Sequence, residues 1–440
     1  MKKVFLIPLI VVIIGGLIFG GCKAGPAAPK EILVGVPAPL TGVYAGFGQG
    51  GIFGMQAAVD DINKQGGVNV AEYGKKLPIK LKIVNTESDP IKAGTLAESL
   101  IVSDKVNFLA YGDEPPPMNA AISNIADRYK VPYICTTGPL EPWLEMRGAA
   151  SGHWQYTWAT GLFALGMPAP AGDFRAKAGY SIADTWQGMI DLFGGQTNKK
   201  VAVFACDDPD GVGWYGAFPP MLKGWGYEAV GIDKKLGLVP TETTDFSSVI
   251  NEWKAAKCEI VWGNAIAPFV GTLLKQCSAL GFKPKMASIG RGPLFYEDVS
   301  AWGGDLPLGV GVEIWWDPSF GDSPGIGGTT PQSLAKRWTD TGKQLNRNIG
   351  PGYSIIQVII DAVERAGSLD SAKVNAALAT TDLMTVRHRI KFEGDYHFSR
   401  GPIVYGQWQK VDKPWTWECP VIFTKHDFIK ATGKPIFPIP

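Results

Sequence analysis

From Glu31 onward, short apolar runs alternate with stretches in which apolar residues recur every three or four positions, the pattern of a parallel sheet covered by helices. Residues 32–36 predict the first strand. Ile52, Met55, Val59 and Ile62 then share one helical face, and Gly66 and Gly67 stop that helix. Residues 79–84 predict a second strand, Asp89 and Pro90 an N-cap and first turn for a helix carrying Leu96, Leu100 and Ile101, and residues 106–111 a third strand. Met118, Ile122, Ile125 and Tyr129 mark a further helix, followed by a strand over 131–136. A Trp-, Gly- and Pro-rich stretch over 141–188 breaks the alternation, and residues 200–205 restart it, which predicts a change of lobe. Helices are expected over 246–256, 269–280 and 352–366, and a buried strand over 260–263. Pro219 and Pro220 interrupt the helical pattern after Trp214, so that helix is either kinked or begins there.

The N-terminus changes the picture. Lys2 and Lys3 precede an apolar run over 4–19 and then Gly20, Gly21 and Cys22, the order of an export signal. Small residues directly before a cysteine resemble the lipobox of bacterial lipoproteins, in which that cysteine is acylated, although Phe19 departs from the usual aliphatic residue. The expectation is a signal peptide over 1–21, membrane attachment by lipid on Cys22, and a Pro-containing tether over 22–30. An uncleaved anchor is the alternative, because about 18 apolar residues just span a bilayer. Either way the folded part is expected outside the cytoplasm, periplasmic or lipid-anchored to the cell membrane.

Without Lys2 and Lys3, 40 of the 42 basic residues face 41 acidic ones, a balance that argues against nucleic acid and points to a small-molecule partner. About 410 mature residues exceed one compact core and suit two lobes. After Cys22 come Cys135, Cys206, Cys258, Cys277 and Cys419, an odd number without a CxxC pair, so neither a disulfide framework nor a zinc site is indicated. No cofactor is expected, and the chain is expected to be a monomer.

Two motifs mislead. Gly46, Gly48 and Gly51 spell GxGxxG, but about ten residues separate them from the first strand, where a dinucleotide turn would follow directly. Residues 321–325 spell GxSxG, yet Pro324 lacks the N–H that an esterase elbow uses as oxyanion donor. The four histidines show no metal spacing, and nothing assembles a nucleophile, base and orienter. An exported hydrolase is therefore the weaker alternative, as is the sensor domain of a receptor.

Five stretches carry a resemblance: VGVPAPLTGVYAGFGQGGIFGMQAAVDDINKQGGV from Val34, VNTESDPIKAGTLAESLIVSDKVNFLAYG from Val84, TTDFSSVINEWKAAKCEIVWG from Thr243, GYSIIQVIIDAVERAGSLDSAKVNAAL from Gly352, and IKFEGDYHFSRGPIVYGQW from Ile390. In this order the chain resembles the leucine/isoleucine/valine-binding-protein family, the type I periplasmic binding proteins that serve ABC transporters. The resemblance implies an α/β fold of two doubly wound lobes joined by a three-crossing hinge, with 31–155 and 288–398 forming lobe 1 and 156–287 and 399–440 lobe 2. It implies capture of a solute in the cleft and delivery to an ABC permease in the membrane. It also implies that the ligand carboxylate is received after the third strand, where this chain has Asp113 and Glu114, and that an acid follows Pro268, where it has Phe269. Both charged anchors of an α-amino acid are thus replaced. The positions left at the family's cleft are Phe47, Asp113, Glu114, Thr136, Thr137, Gly138 and Asp210, with Trp214 and Trp262 nearby, which suits a neutral or cationic ligand with an apolar or ring portion.

Overall fold

The computed structural model describes residues 28–114, 116–148, 153–166, 178–321, 323–412 and 415–440. The expected signal peptide, Cys22 and most of the tether lie outside the described residues, as do the side chains of Asp113 and Glu114. No helix among the described residues is long and apolar enough to cross a membrane.

Two sheets organise the chain. The first has six parallel strands in the order Phe398–Arg400, Thr157–Gly161, Tyr133–Thr137, Phe108–Glu114, Ile32–Ala38, Ile79–Asn85. Its inner strands are buried along their whole length because helices cover both faces, which is why ILVGVPA reads as a continuous apolar run and not as an alternating one. The second sheet runs Leu238–Val239, Lys200–Cys206, Ile260–Ala265, Met286–Arg291, Val310–Ile314, Val404–Gln407, Val421–Phe423, with Glu228–Val230 also pairing Lys200–Cys206. Its strands are parallel except at Val404–Gln407, which is antiparallel to both neighbours.

Sheet membership corrects the expected boundaries. Thr157–Gly161 pairs inside the first sheet, so the chain leaves it after Gly161 and not near 155. Val310–Ile314 pairs with Met286–Arg291 and Val404–Gln407, so the return to the first lobe comes after Ile314 and not at 287/288. The physical reason is the sequence VGVEI: all five residues are buried, and the sheet edge beyond Met286–Arg291 is where that apolar strand finds its backbone partners. Trp315 and Trp316 follow at once. Both are buried, on opposite sides of the chain, with indole N–H groups donating to Asn348 Oδ1 (3.0 Å) and the Val386 carbonyl (2.9 Å). The helix Pro209–Gly224 runs through Pro219 and Pro220, and it begins at Asp208, whose carboxylate accepts from the Gly211 N–H at 2.8 Å. Asp89 caps the helix Pro90–Val102 as expected, accepting from Ile91 N–H at 2.7 Å.

The GxGxxG glycines turn out to be packing glycines. The helix Ala45–Lys64 lies against Ile349–Ala366 so closely that a Cβ on Gly352 would sit 2.0 Å from the Gly51 carbonyl oxygen, and one on Gly54 2.0 Å from that of Ile349. A Cβ on Gly48 would meet the Pro39 carbonyl oxygen at 2.2 Å. Backbone meets backbone here, and neither side can yield without moving a helix.

That contact predicts a sign. Glycine to alanine inside a helix ordinarily gains up to about 1 kcal/mol, and Gly216→Ala, exposed with nothing near its Cβ, should raise the thermal midpoint. Gly54→Ala and Gly352→Ala should instead lose about 1–3 kcal/mol to overpacking. Thermal melts followed by circular dichroism check both directions.

Candidate functional site

The C-terminal ends of the strands in both sheets face a common cavity of about 270 Å³, at the lower end of the sizes usual for small-molecule sites. The first lobe contributes Phe47, which follows strand Ile32–Ala38, and Gly138, Pro139 and Glu141, which follow Tyr133–Thr137. The segment leaving the first sheet contributes Leu162, Ala164 and Leu165. Glu141 fixes that segment: its carboxylate accepts from the N–H groups of Ala164 (2.8 Å), Leu165 (2.7 Å) and Gly166 (3.2 Å).

The second lobe supplies the floor. Strand alternation places Trp262 and Asn264 on one face, and the first turns of helix Pro209–Gly224 place Asp210 and Trp214 above them. Trp262 is the hub of an aromatic cluster, 5.1 Å from Trp214, 5.0 Å from Phe218 and 3.9 Å from Trp186 between ring centres. Across the cavity Phe47 lies parallel to Trp315 at 6.3 Å and edge-on to Phe295 at 4.8 Å. Aromatic surface therefore bounds the space on two sides.

Between them sits one guanidinium. Arg291 donates from Nη1 to Asp208 Oδ2 (2.9 Å) and from Nε to Asn264 Oδ1 (3.1 Å), while its Nε lies 3.2 Å from Asp210 Oδ2. Asn264 in turn donates to Asp210 at 3.0 Å. Burial alone would lower the Arg291 pKa, but Asp210 and Asp208 outweigh it and hold the guanidinium above its ordinary value. Glu313, at the end of strand Val310–Ile314, shares the wall. It makes no ion pair among the described residues, and burial, with the Asp210 charge adding to it, pushes its carboxyl up to about 7. One cation among the described residues of the wall, Arg291, is paired with Asp208 and Asp210, and Glu313 adds a further acidic group to the same wall.

Of the residues singled out from sequence, Phe47, Gly138, Asp210, Trp214 and Trp262 come together around this cavity. Thr136 and Thr137 are buried at the end of their strand, two residues and one residue short of the lining Gly138. Phe269 does not line the cavity: helix Ala267–Ala279 turns it into the core, where it lies 4.6 Å from Phe246 and 6.1 Å from Phe204. Asp113 and Glu114 end the strand Phe108–Glu114, and their side chains are outside the described residues. Sequence reasoning missed Arg291, Asn264, Glu313, Glu141, Trp186 and Trp315. For Asn264 a signal existed, since it stands two residues beyond Trp262 and must share its face.

The family model described as periplasmic binding protein matches residues 31–413. A Leu/Ile/Val-binding protein homolog 2 of Brucella abortus (strain 2308) is 26% identical over 397 residues, covering 88% of this chain and 92% of its own. An amino acid binding protein of Pseudomonas aeruginosa is 24% identical over 391 residues, with the same two coverages of 88% and 92%. Among solved structures, a leucine binding protein from Thermotoga maritima superposes with a TM-score of 0.64 at 18% identity, over 89% of this chain and 99% of its own. A solute binding protein of an ABC transporter from Rhodopseudomonas palustris BisB5, solved with 3,4-dihydroxy benzoic acid, gives 0.67 at 20% identity, over 92% and 99%. At these identities the structures establish a shared fold. With the family match running almost the length of the described chain, and with a cavity held between two doubly wound sheets, this chain belongs to the periplasmic binding protein family and is an extracytoplasmic solute-binding protein.

Proposed function

We propose that the chain is the lipid-anchored, monomeric substrate-binding component of an ABC importer, closing two lobes around a small neutral or cationic solute that carries an apolar or ring portion. The observation that carries this reading is the cavity itself, walled on one side by Phe47 and Gly138 and on the other by Trp214, Trp262 and Asn264. A solute that touches both walls has a higher affinity for the closed state than for the open one, and only that difference can shift the population. Asp113 and Glu114, at the end of strand Phe108–Glu114, are proposed to add negative potential on the first-lobe side. Arg291, its charge already shared by two carboxylates, is proposed to shape the floor and hold the Asp210 and Asn264 polar atoms in place.

Three outcomes are expected. Native mass spectrometry of protein purified without refolding should reveal a bound solute, and small-angle scattering should show a smaller radius of gyration with it than without it. A lack of compaction with any solute that binds would rule out capture by closure, and a co-purified branched-chain amino acid would rule out the ligand class. Phe47→Ala, which removes one aromatic wall and its contact with Trp315, should weaken the solute about tenfold, or about 1.4 kcal/mol, by isothermal titration calorimetry. Cys22→Ser should move the protein from the membrane fraction to the soluble one and abolish incorporation of radiolabelled palmitate; retention of the label would place the lipid elsewhere.

A further inference from the structure

Glu313 stands out among the acidic side chains of the cavity. Asp210 is matched by Arg291 and Asn264, and Glu141 is satisfied by three backbone N–H groups. Glu145 is exposed. Of the four acidic residues lining the cavity among the described residues, Glu313 alone is buried without an ion pair; its carboxyl accepts only from backbone N–H groups, its own and that of Arg291. Trp315, two residues on, shares its side of the chain and presents an aromatic face to the same space.

A buried carboxylate without a cation is costly, so the group either keeps its proton or gains a cationic partner when one enters the cavity. We infer that Glu313 is the residue that sets ligand charge, pairing with a cationic amidinium- or ammonium-type head whose apolar face lies against Trp315 and Phe47. The inference rests on the closure reading above and narrows it. A carboxylate head would instead meet Asp210 and Glu313 together, with the compensating Arg291 already engaged by Asp208 and Asp210. The acid expected after Pro268 is absent, because Phe269 fills that place in the core. Glu313 offers the same charge from a different strand.

The groups facing Glu313 decide its pH behaviour. They are Asp210, whose charge adds to the upward shift, Arg291 on the neighbouring strand, whose backbone N–H donates to the carboxyl, and Tyr405 and Cys419, both of which burial keeps neutral. Since the Glu313 pKa stands above the ordinary carboxylate value in the unliganded cleft, the group must lose its proton before it can pair with a cation. Affinity for a permanently charged ligand is then full above about pH 7 and falls as pH drops through that value, by up to about tenfold per unit.

The test uses three isosteres on the full chain: benzamidine, which stays cationic from pH 5 to 8, benzamide, which is neutral, and benzoate, which is anionic. Titration calorimetry should rank benzamidine first and benzoate last. Glu313→Gln should weaken benzamidine by roughly thirtyfold or more and remove the pH dependence, with an unchanged circular dichroism spectrum and thermal midpoint reporting that the variant is folded. Equal binding of all three, preference for benzoate, binding of none at millimolar concentration, or an unchanged pH profile in the Gln variant each overturns the assignment. Compaction in scattering with benzoate but not with benzamidine would leave the closure reading standing and sink only the charge.

Discussion

The pairing of Arg291 is the interaction on which the cleft floor depends. Its guanidinium reaches the capping Asp208 at the end of one strand, Asn264 at the end of the next, and Asp210 on the first turn of the helix between them. Leaving a buried charge unpaired costs about 3–5 kcal/mol, so none of these partners can move away singly. Three elements are thereby tied at the edge where a ligand sits. Arg291 itself has a left-handed backbone (φ 66°), uncommon for a residue with a long side chain, and the carboxylates that hold the guanidinium hold that backbone with it.

In the first lobe the constraint is steric. The helices Ala45–Lys64 and Ile349–Ala366 approach through glycines, Gly54 toward Ile349 and Gly352 toward Gly51. That close contact seats the start of the first helix, and with it Phe47, against Trp315 and Phe295. Asn346 and Asn348 add side-chain donors to the Gly46 and Phe47 carbonyls at 2.8 and 3.2 Å. The aromatic wall of the first lobe is therefore set by backbone contacts far from any ligand, and the cavity keeps its width because those contacts cannot stretch or compress cheaply.

The alternation of apolar runs and helical faces was enough to place four of the six strands of the first sheet but only two of the eight of the second, where a parallel strand covered on both faces leaves an unmistakable run such as Lys200–Cys206 and the short or edge strands do not. It also placed Asp210, Trp214 and Trp262 near one another, because strand ends and the helix starts that follow them are neighbours by construction. What it could not supply was the partner of a crossing. Val310–Ile314 is as apolar as a first-lobe strand would be, and only its backbone pairing assigns it to the second sheet. Glu313 and Trp315 were missed for that reason: with the strand's sheet unassigned, alternation does not say which of its faces turns to the cleft. Phe269 failed differently. A position after Pro268 can face the cleft or the core depending on one helical turn, and the apolar side chain follows Phe204 and Phe246 inward.

These two cases bear on how a binding fold changes its solute. The scaffold that presents strand ends to a cleft is held by the helix–helix glycines, away from the cavity, and by the Arg291 network and the Glu141 carboxylate in its wall. The charge of Glu313 is not part of that scaffold. An acid can vanish from one strand end, with a phenylalanine packing into the core behind it, and a buried acid can stand at another strand end across the same small space. The cavity keeps its shape while its potential is redrawn. Sequence identity to relatives that bind amino acids then says little about the solute, because the side chains that select it are few and interchangeable among strand ends. In this cleft the buried acid without a cation among the described residues is Glu313, the group to which the inferred selection falls.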